Sequence, residues 1–281
     1  MCLMKLLRIL IKMVVYSTII IFLFGLYTTY IERELLITKK HNIELRENGK
    51  DEIKIAQFSD THLGEYFSLE QLEKVVKKIN KVNPDIVVFT GDLMDNAAEY
   101  SPIEETIEIL SKIDAKIGKY AVYGNRDYGG GAVRFYRDMM EKSGFVVLSN
   151  QNETINIRNR KLHIMGGDDA LMGEHNPSTT VGNINEEDIN ILLLHEPDLV
   201  DQYNGYPIDL ALAGHSHGGQ VYIPFYGPIK RNVLSEKYNK GFYELENSRG
   251  STIYVNTGIG NTKVPFRFFN VPEISVFKIK F

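Results

Sequence analysis

The sequence predicts an α/β protein with a largely parallel, doubly covered sheet behind one membrane-spanning helix. Three observations carry this expectation. Apolar runs of strand length alternate with helical patterns through the first half of the chain, the order β-α-β-α-β-α-β that builds parallel sheets. The second half is a succession of short strand patterns. The amino-terminal residues 13–31 carry no charge at all.

That charge-free run, MVVYSTIIIFLFGLYTTYI, is 19 residues long. At ~1.5 Å rise per residue it spans roughly 28 Å, close to the ~30 Å of a bilayer's hydrocarbon. Lys5, Arg8 and Lys12 precede it. Basic residues favour the cytoplasmic side, so the remainder is expected beyond the membrane, although Arg33, Lys39 and Lys40 reduce the asymmetry. A cleaved signal peptide would be shorter and end in a small-x-small pattern, which Tyr27-Thr28-Thr29-Tyr30 does not provide. A buried core helix would show some polar face. The expectation is an uncleaved, single-pass anchor in the cell membrane with an extracytoplasmic domain.

Residues 32–40 read as a juxtamembrane linker. Ile53 to Phe58 reads as a strand. Ser68-Leu69-Glu70-Gln71 has the form of a capping box, and Leu72, Val75, Val76 and Ile79 follow at helical spacing. Ile86 to Thr90 is a β-branched run, the pattern of a strand buried on both faces. A helix over Ile103–Ile113, a strand Tyr120–Tyr123, a helix Ala132–Ser143 and a strand Phe145–Leu148 complete the first half. Thr154–Ile157 and Leu162–Met165 alternate around Asn159-Arg160, a hairpin signal. Ile191–Leu194, Leu210–Ala213, Gln220–Ile223, Gly241–Leu245, Thr252–Val255 and Ile274–Ile279 read as further strands.

Composition narrows the function. The first 31 residues hold three basic residues and no acid, so residues 32–281 hold 29 basic against 36 acidic. An acidic domain without a basic stripe is a poor partner for nucleic acid, whose affinity rests on neutralised phosphates, and none is expected. The single cysteine, Cys2, excludes an intramolecular disulfide and a thiolate cluster. Any metal must therefore be held by oxygen and nitrogen.

Such donors stand at the strand ends. IAQFSDTH puts Asp60 and His62 past one strand, VVFTGDLMD puts Asp92 past the next, and YAVYGN puts Asn125 past the third. ILLLH and LALAGHSH add His195, His215 and His217. Ligands in open α/β sheets gather beyond the carboxyl ends of strands. Taken singly, Asp-x-His, Gly-Asp and Gly-Asn are ordinary turn sequences, and a lone histidine after an apolar run is more often core. Two imidazoles two residues apart behind a buried run read as a chelate. Four of the seven histidines and three oxygen donors sharing this placement point to one site. Seven donors suit two metals, with Asp92 shared between them. Imidazole mixed with carboxylate suits Mn, Fe or Zn better than Mg or Ca. Two such ions ~3.5–4 Å apart clamp an in-line displacement at phosphorus, with a bridging hydroxide as nucleophile.

In that order, Asp60-x-His62, Gly91-Asp92-x-x-Asp95, Gly124-Asn125, His195 and Gly214-His215-x-His217 resemble the calcineurin-like metallophosphoesterase superfamily, over about residues 53–279. Gly258-x-Gly260, Pro265-x-Arg267 and Pro272-Glu273 are similar to its membrane-anchored bacterial branch, whose members cleave phosphodiester or pyrophosphate bonds, some of them in lipids. The resemblance implies a four-layer α/β/β/α sandwich. It implies that Asp60, His62, Asp92 and His217 hold one metal, and Asp92, Asn125, His195 and His215 the other. The catalytic candidates are Asn125, Arg126 and His215. The expected segments are a leader and transmembrane anchor over 1–31, a linker and first strand over 32–50, and the phosphoesterase domain over 51–281. The expected partners are the membrane and a phosphorylated small molecule or lipid as substrate.

Arg126 departs from the family pattern, which commonly has histidine after Gly-Asn. A guanidinium holds its proton at neutral pH but can clamp a phosphoryl oxygen bidentately. Arg126 is therefore expected to bind substrate rather than act as general acid; its bland alternative is an exposed turn arginine. Asp95 is expected to support the metal loop from behind. Gly129-Gly130-Gly131 reads as a close substrate approach or a flexible turn. His163 and His175 have no evident partner in the sequence. Phe266, Phe268 and Phe269 around Arg267 read first as core, second as a lipid contact. The competing function is a non-catalytic metal- or phosphate-binding regulatory ectodomain; the complete donor set argues against it and Arg126 is its best support.

Overall fold

The structure, a computed structural model, describes residues 2–46, 49, 51–100, 102–158, 160–247 and 249–281. It opens with α1 (Cys2–Leu26), whose surface is exposed along the described length and which is long and apolar enough to cross a membrane. A π-type turn over Tyr27–Ile31 and a 3-10 turn over Glu32–Glu34 lead to β1 (Ile37–Glu44). The span read as a linker thus carries half of a strand. Its ITKKHNIE sequence alternates without a buried face, because β1 is an edge strand.

β2 (Glu52–Phe58), α2 (Leu69–Val82), β3 (Ile86–Phe89), α3 (Ile103–Ser111) and β4 (Gly118–Ala121) follow as expected. The capping box at α2 is formed: Ser68 Oγ accepts from Gln71 N at 3.3 Å, and Gln71 Oε1 accepts from Ser68 N at 2.8 Å. A one-turn helix α4 (Asn125–Tyr128) and a 3-10 stretch over Gly129–Arg134 precede α5 (Tyr136–Lys142). The helix expected from Ala132 starts later because Gly130 and Gly131 adopt φ of 59° and 85°. A Cβ on Gly130 would sit 2.6 Å from Asn96 Oδ1, so this glycine serves a tight loop crossing.

β5 (Val146–Val147) ends the first half. β6 (Gln151–Ile157) and β7 (Arg160–Gly166) form the expected hairpin, although Asn159 at its turn lies outside the described residues. α6 (Pro177–Val181), β8 (Ile189–Leu193), a 3-10 stretch over Pro197–Tyr203 and β9 (Leu210–Ala213) come next. A two-stranded ribbon, β10 (Tyr222–Ile223) with β11 (Gly227–Pro228), stands where one longer strand was expected. β12 (Gly241–Glu244), β13 (Thr252–Val255) and β14 (Glu273–Lys280) complete the chain.

Two six-stranded sheets result, ordered β1-β14-β2-β3-β4-β5 and β12-β13-β9-β8-β7-β6. Alternate residues of one strand serve different layers. Ile86 and Val88 join Leu210, Leu212 and Ile191 in the core between the sheets, whereas Val87 and Phe89 pack under α2, α3 and α5. Ala211 and Ala213 face the opposite way, onto Val181, Leu199 and Val200 of the short helices. The layers are therefore α/β/β/α, with a fourth layer of short helical turns. β2, β3 and β4 run parallel in one sheet, as do β8 and β9 in the other, so the segments that follow them gather at one end of the sandwich.

Candidate metal centre

Six of the seven donors found at strand ends come together there in two groups, with Asn125 beside them. Asp60, His62 and His217 form one and Asp92, His195 and His215 the other; within each, the donor atoms lie within 4.8 Å of one another and all six residues are buried. Asp92 stands between them. Its Oδ2 is 3.5 Å from His62 Nε2 and 3.4 Å from His195 Nε2. Asn125 lines the same cleft, and its Oδ1 is buried with no hydrogen-bond partner among the described residues. A buried, unpartnered amide oxygen is costly. Beside two histidine–carboxylate trios it has the character of a metal ligand.

Each histidine presents one nitrogen inward. His195 Nδ1 is 2.7 Å from Thr90 O and His215 Nε2 is 2.9 Å from Val233 O, which leaves His195 Nε2 and His215 Nδ1 facing each other at 3.2 Å. His62 Nδ1 lies 3.3 Å from Asp95 Oδ1, though off the line of a good hydrogen bond. The Nε2 atoms of His62 and His217 face each other at 2.9 Å. Outer partners of this kind fix which nitrogen a histidine offers. His217 Nδ1 lies 3.3 Å from Arg267 Nη2, which can only donate. With a cation on Nε2, the hydrogen must sit on Nδ1, and this approach becomes packing rather than a hydrogen bond.

The backbone is strained at these positions. Asp60, His62, Asp92, His215 and His217 have φ of 53°, 46°, 61°, 64° and 50°. Left-handed backbone costs a non-glycine residue about 1–2 kcal/mol, and persists where the surroundings over-determine it. Glycines make room. A Cβ on Gly258 would meet Asp60 Cβ at 2.8 Å, and one on Gly260 would run into the Thr61 carbonyl.

The charges are matched to a cation. Burial, with the neighbouring His195, lowers His215 to about 4, and burial with His62 and Arg267 takes His217 well below the ordinary value. Both rings are neutral at pH 7 and offer lone pairs. Burial raises Asp60. Burial also opposes ionisation of Asp92, but the His195, His62 and His215 rings hold its carboxyl well below the usual range. Burial likewise opposes charge on His195, yet the Asp92 and Asp60 carboxylates lift it well above 6.5.

A pH dependence follows. Without metal, the raised pKa favours the protonated His195 ring, and a ligated cation must displace that proton. Affinity should therefore climb with pH through that raised pKa and weaken below it. Calorimetric titration of the metal-free protein at pH 7.5, in two buffers of different ionisation enthalpy, should register net proton release. Zero release would remove His195 from this role.

Asp127, unnoticed in the sequence, organises the site. Its carboxylate accepts from the main-chain N–H groups of Asp92 (2.8 Å), Leu93 (2.9 Å) and Gly124 (2.9 Å). Burial and the Asp92 charge push its pKa up to about 7, against the pull of those amides. Its signal was an acid three residues after Gly124, at the third position of a helical turn. Arg267 is fully buried, donating to the carbonyls of Thr257 (2.9 Å), Asn270 (3.1 Å) and Gly260. His163 and His175 lie apart from the site. Each has the partner that the sequence did not reveal: His163 sits between Thr154 and Asp188, and His175 beside Asp168 O and Tyr203.

The centre floors a cleft of about 480 Å³ whose walls include Arg126, Leu171, Lys230, Arg231, Val233 and Lys263. Arg126 is half-buried; its main-chain N–H donates to Asp92 Oδ1 at 2.8 Å, and among the described residues its side chain hydrogen-bonds to Thr262 Oγ1 alone, at 3.4 Å.

Comparison with known proteins agrees with this chemistry. Residues 53–219 match the calcineurin-like phosphoesterase family. The uncharacterised metallophosphoesterase YkuE of Bacillus subtilis (strain 168) is 41% identical over 258 residues, covering 90% of this chain and 89% of that protein. An uncharacterised metallophosphoesterase of Aquifex aeolicus (strain VF5) is 31% identical, covering 92% and 97%. UDP-2,3-diacylglucosamine pyrophosphatase LpxG of Chlamydia muridarum (strain MoPn / Nigg) is 26% identical, covering 80% and 83%.

Proposed function

Because the chain belongs to the calcineurin-like phosphoesterase family and is a metal-dependent phosphoesterase, we propose that it is a membrane-anchored, two-metal hydrolase of phosphodiester or pyrophosphate bonds. The observation that carries this is the pair of buried donor groups sharing Asp92, with the orphaned Asn125 oxygen beside them. Asp60, His62, Asp92 and His217 would hold one ion, and Asp92, Asn125, His195 and His215 the other. When bound, two divalent transition ions supply an activated water and Lewis acidity at the phosphoryl group.

The chain supplies the rest. Thr90 O and Val233 O fix the ring orientation of His195 and His215, and Asp127 ties the Asp92 loop to the start of α4. Arg126 stands at the cleft wall, where it can take up a phosphoryl oxygen and hold the charge that grows on it. A guanidinium gives no proton to a leaving group at neutral pH. The site therefore favours leaving groups that need little protonation, such as a phosphate or an aryl oxide. This preference, and the LpxG relative, support a pyrophosphate-type bond in a lipid or envelope molecule.

The test is hydrolysis by the purified full-length protein loaded separately with Mn, Fe or Zn. Nucleotide, glycerophosphodiester, lipid pyrophosphate and aryl phosphodiester substrates are offered. Metal-dependent turnover abolished by chelation is expected. Protein holding two equivalents of metal yet inert on every substrate would favour the non-catalytic ectodomain. The anchor has its own test: protease added to intact spheroplasts should digest the folded domain, and full protection would reverse the proposed orientation.

A further inference from the structure

The metal-centre end of the sandwich is also the end that meets the membrane helix. β1 pairs parallel with β14, Ile37 opposite Glu273, and β14 pairs antiparallel with β2, Ser275 opposite Gln57. The start of β1 thus lies where β2 finishes, beside Asp60. The helix is bound there. Phe24 packs edge-on against Phe268 with ring centroids 4.7 Å apart. Arg267 N donates to Thr28 O at 3.1 Å, and the buried Glu32 carboxylate accepts from Asn270 N at 2.6 Å.

These contacts fix a depth. The charge-free run is 19 residues, so a bilayer of ~30 Å requires all of it. Phe24 lies eight residues before Glu32, the first charge after the run, or about 12 Å along a helix. Were the domain to ride above the bilayer with Phe268 in water, only Met13 to about Phe24, roughly 18 Å, would remain to span it. That is too short. Placing the turn that holds Phe268 at or below the membrane surface lets the whole charge-free run span.

The β10–β11 ribbon is zipped to this turn. Phe268 N donates to Gln220 O and Tyr222 N to Phe268 O, both at 2.9 Å. The ribbon tip is apolar and unpartnered. Phe225 is fully exposed and Tyr226 is 77% exposed, flanked by exposed Ile223 and Ile229, with Phe266 and Phe269 on the adjoining turn. Phe225 adopts φ 67°, unusual for a bulky residue. Past Ile229 the same segment becomes the cleft wall at Lys230, Arg231 and Val233, with Lys263 nearby. Aromatic and aliphatic tips backed by lysine and arginine match the layered chemistry of a bilayer surface with anionic headgroups.

We propose that the Tyr222–Ile229 ribbon and the Phe266–Phe269 turn dip into the leaflet beside the N-terminal helix, so that the cleft opens at headgroup level and takes its phosphoester from a lipid resident in the bilayer. This rests on the anchored reading given above. The apolar ribbon tip and the basic cleft wall are one continuous segment, so a lipid whose tails stay among Phe225, Tyr226 and Phe269 presents its phosphate to the basic wall. Such a substrate does not leave the membrane to reach the site.

The test uses the full chain in vesicles of phosphatidylethanolamine and phosphatidylglycerol. Single cysteines at Phe225→Cys, Ile20→Cys and Ile117→Cys, in a Cys2→Ser background, carry an environment-sensitive fluorophore. Ile117 is exposed at the amino-terminal end of β4, away from the centre. Nitroxide lipids should quench the labels at 225 and 20 and spare that at 117. Quenching at 20 with none at 225 overturns the proposal and leaves the anchor standing; a spectral shift at 225 without lipid quenching points to a protein partner instead. No quenching at 20 removes the anchor, and the proposal with it. In a second measurement, Phe225→Asp with Tyr226→Asp should lower hydrolysis of a vesicle-borne lipid phosphoester by about tenfold or more and leave a soluble aryl phosphodiester unaffected. Equal effects on both substrates, or wild-type protein that cleaves only the soluble one, would overturn the lipid-access route.

Discussion

Asp92→Asn should weaken metal binding in both proposed positions and lower turnover by about 10³-fold. Asp92 Oδ2 is almost equidistant from His62 of one group and His195 of the other, so one oxygen stands within reach of both proposed positions. Asparagine keeps the size of the side chain and can still accept from Arg126 N, as Asp92 Oδ1 does now at 2.8 Å. It also tolerates the left-handed backbone of position 92 better than other residues do. The fold should therefore persist, with its thermal transition little moved, while the charge that the two proposed cations would share disappears. A second consequence separates this account from a general loosening. Without the carboxylate, the strongest upward pull on His195 is gone. That ring should then fall back toward or below its ordinary value, and residual metal binding at pH 7.5 should release fewer protons than in the wild type. Elemental analysis of well-loaded variant showing two equivalents, with wild-type turnover, would take Asp92 out of the bridging position.

The donors were legible because their strands are legible. A strand buried on both faces has to be a continuous apolar run, as in Ile86–Phe89 or Leu210–Ala213, and the first polar residues past its end stand out. Parallel strands then deliver those residues to one edge by topology alone. The capping box at Ser68 was legible for a local reason too, since both of its bonds lie within four residues.

What stayed hidden depends on partners distant in sequence or on backbone angles. The start of β1 reads as linker in the sequence, and the first strand expected within 32–50 has no bounds there, because an edge strand needs no apolar face; its register against β14, more than 200 residues away, makes it a strand. The later start of α5 follows from the left-handed Gly130 and Gly131, which tolerate many conformations in sequence but adopt one here. Five donors share a positive φ that no pattern announces. Arg267 looked like one cation among three phenylalanines, yet it is buried beneath the loop that meets the N-terminal helix, donating to three carbonyl oxygens. Burial of a charge is a property of the assembled loops, and nothing in the spacing around it predicts that outcome.

Arg126→Ala should cut turnover about 10²-fold while leaving metal content unchanged, the scale seen when one preorganised electrostatic stabiliser is removed. The separation is possible because the residue has two connections. Its main-chain N–H supports Asp92, and alanine retains that bond. Its side chain makes one long contact with Thr262 Oγ1, at 3.4 Å, and otherwise faces the cleft. A guanidinium so weakly held costs little to turn toward a phosphoryl oxygen, which it can engage with two parallel N–H bonds. The interaction grows as negative charge accumulates in the transition state, so the loss should fall on kcat more than on KM. Because the group donates no proton, the loss should be similar for aryl and phosphate leaving groups. Arg126→His would put a titratable donor at that point of the wall. Relative to the alanine variant it should recover activity most on alkyl diesters, whose leaving oxygen needs a proton, and the gain should fade as pH rises and the imidazole is neutralised. Kinetic constants unchanged in Arg126→Ala, with both metals in place, would reduce the arginine to a turn residue at the cleft edge.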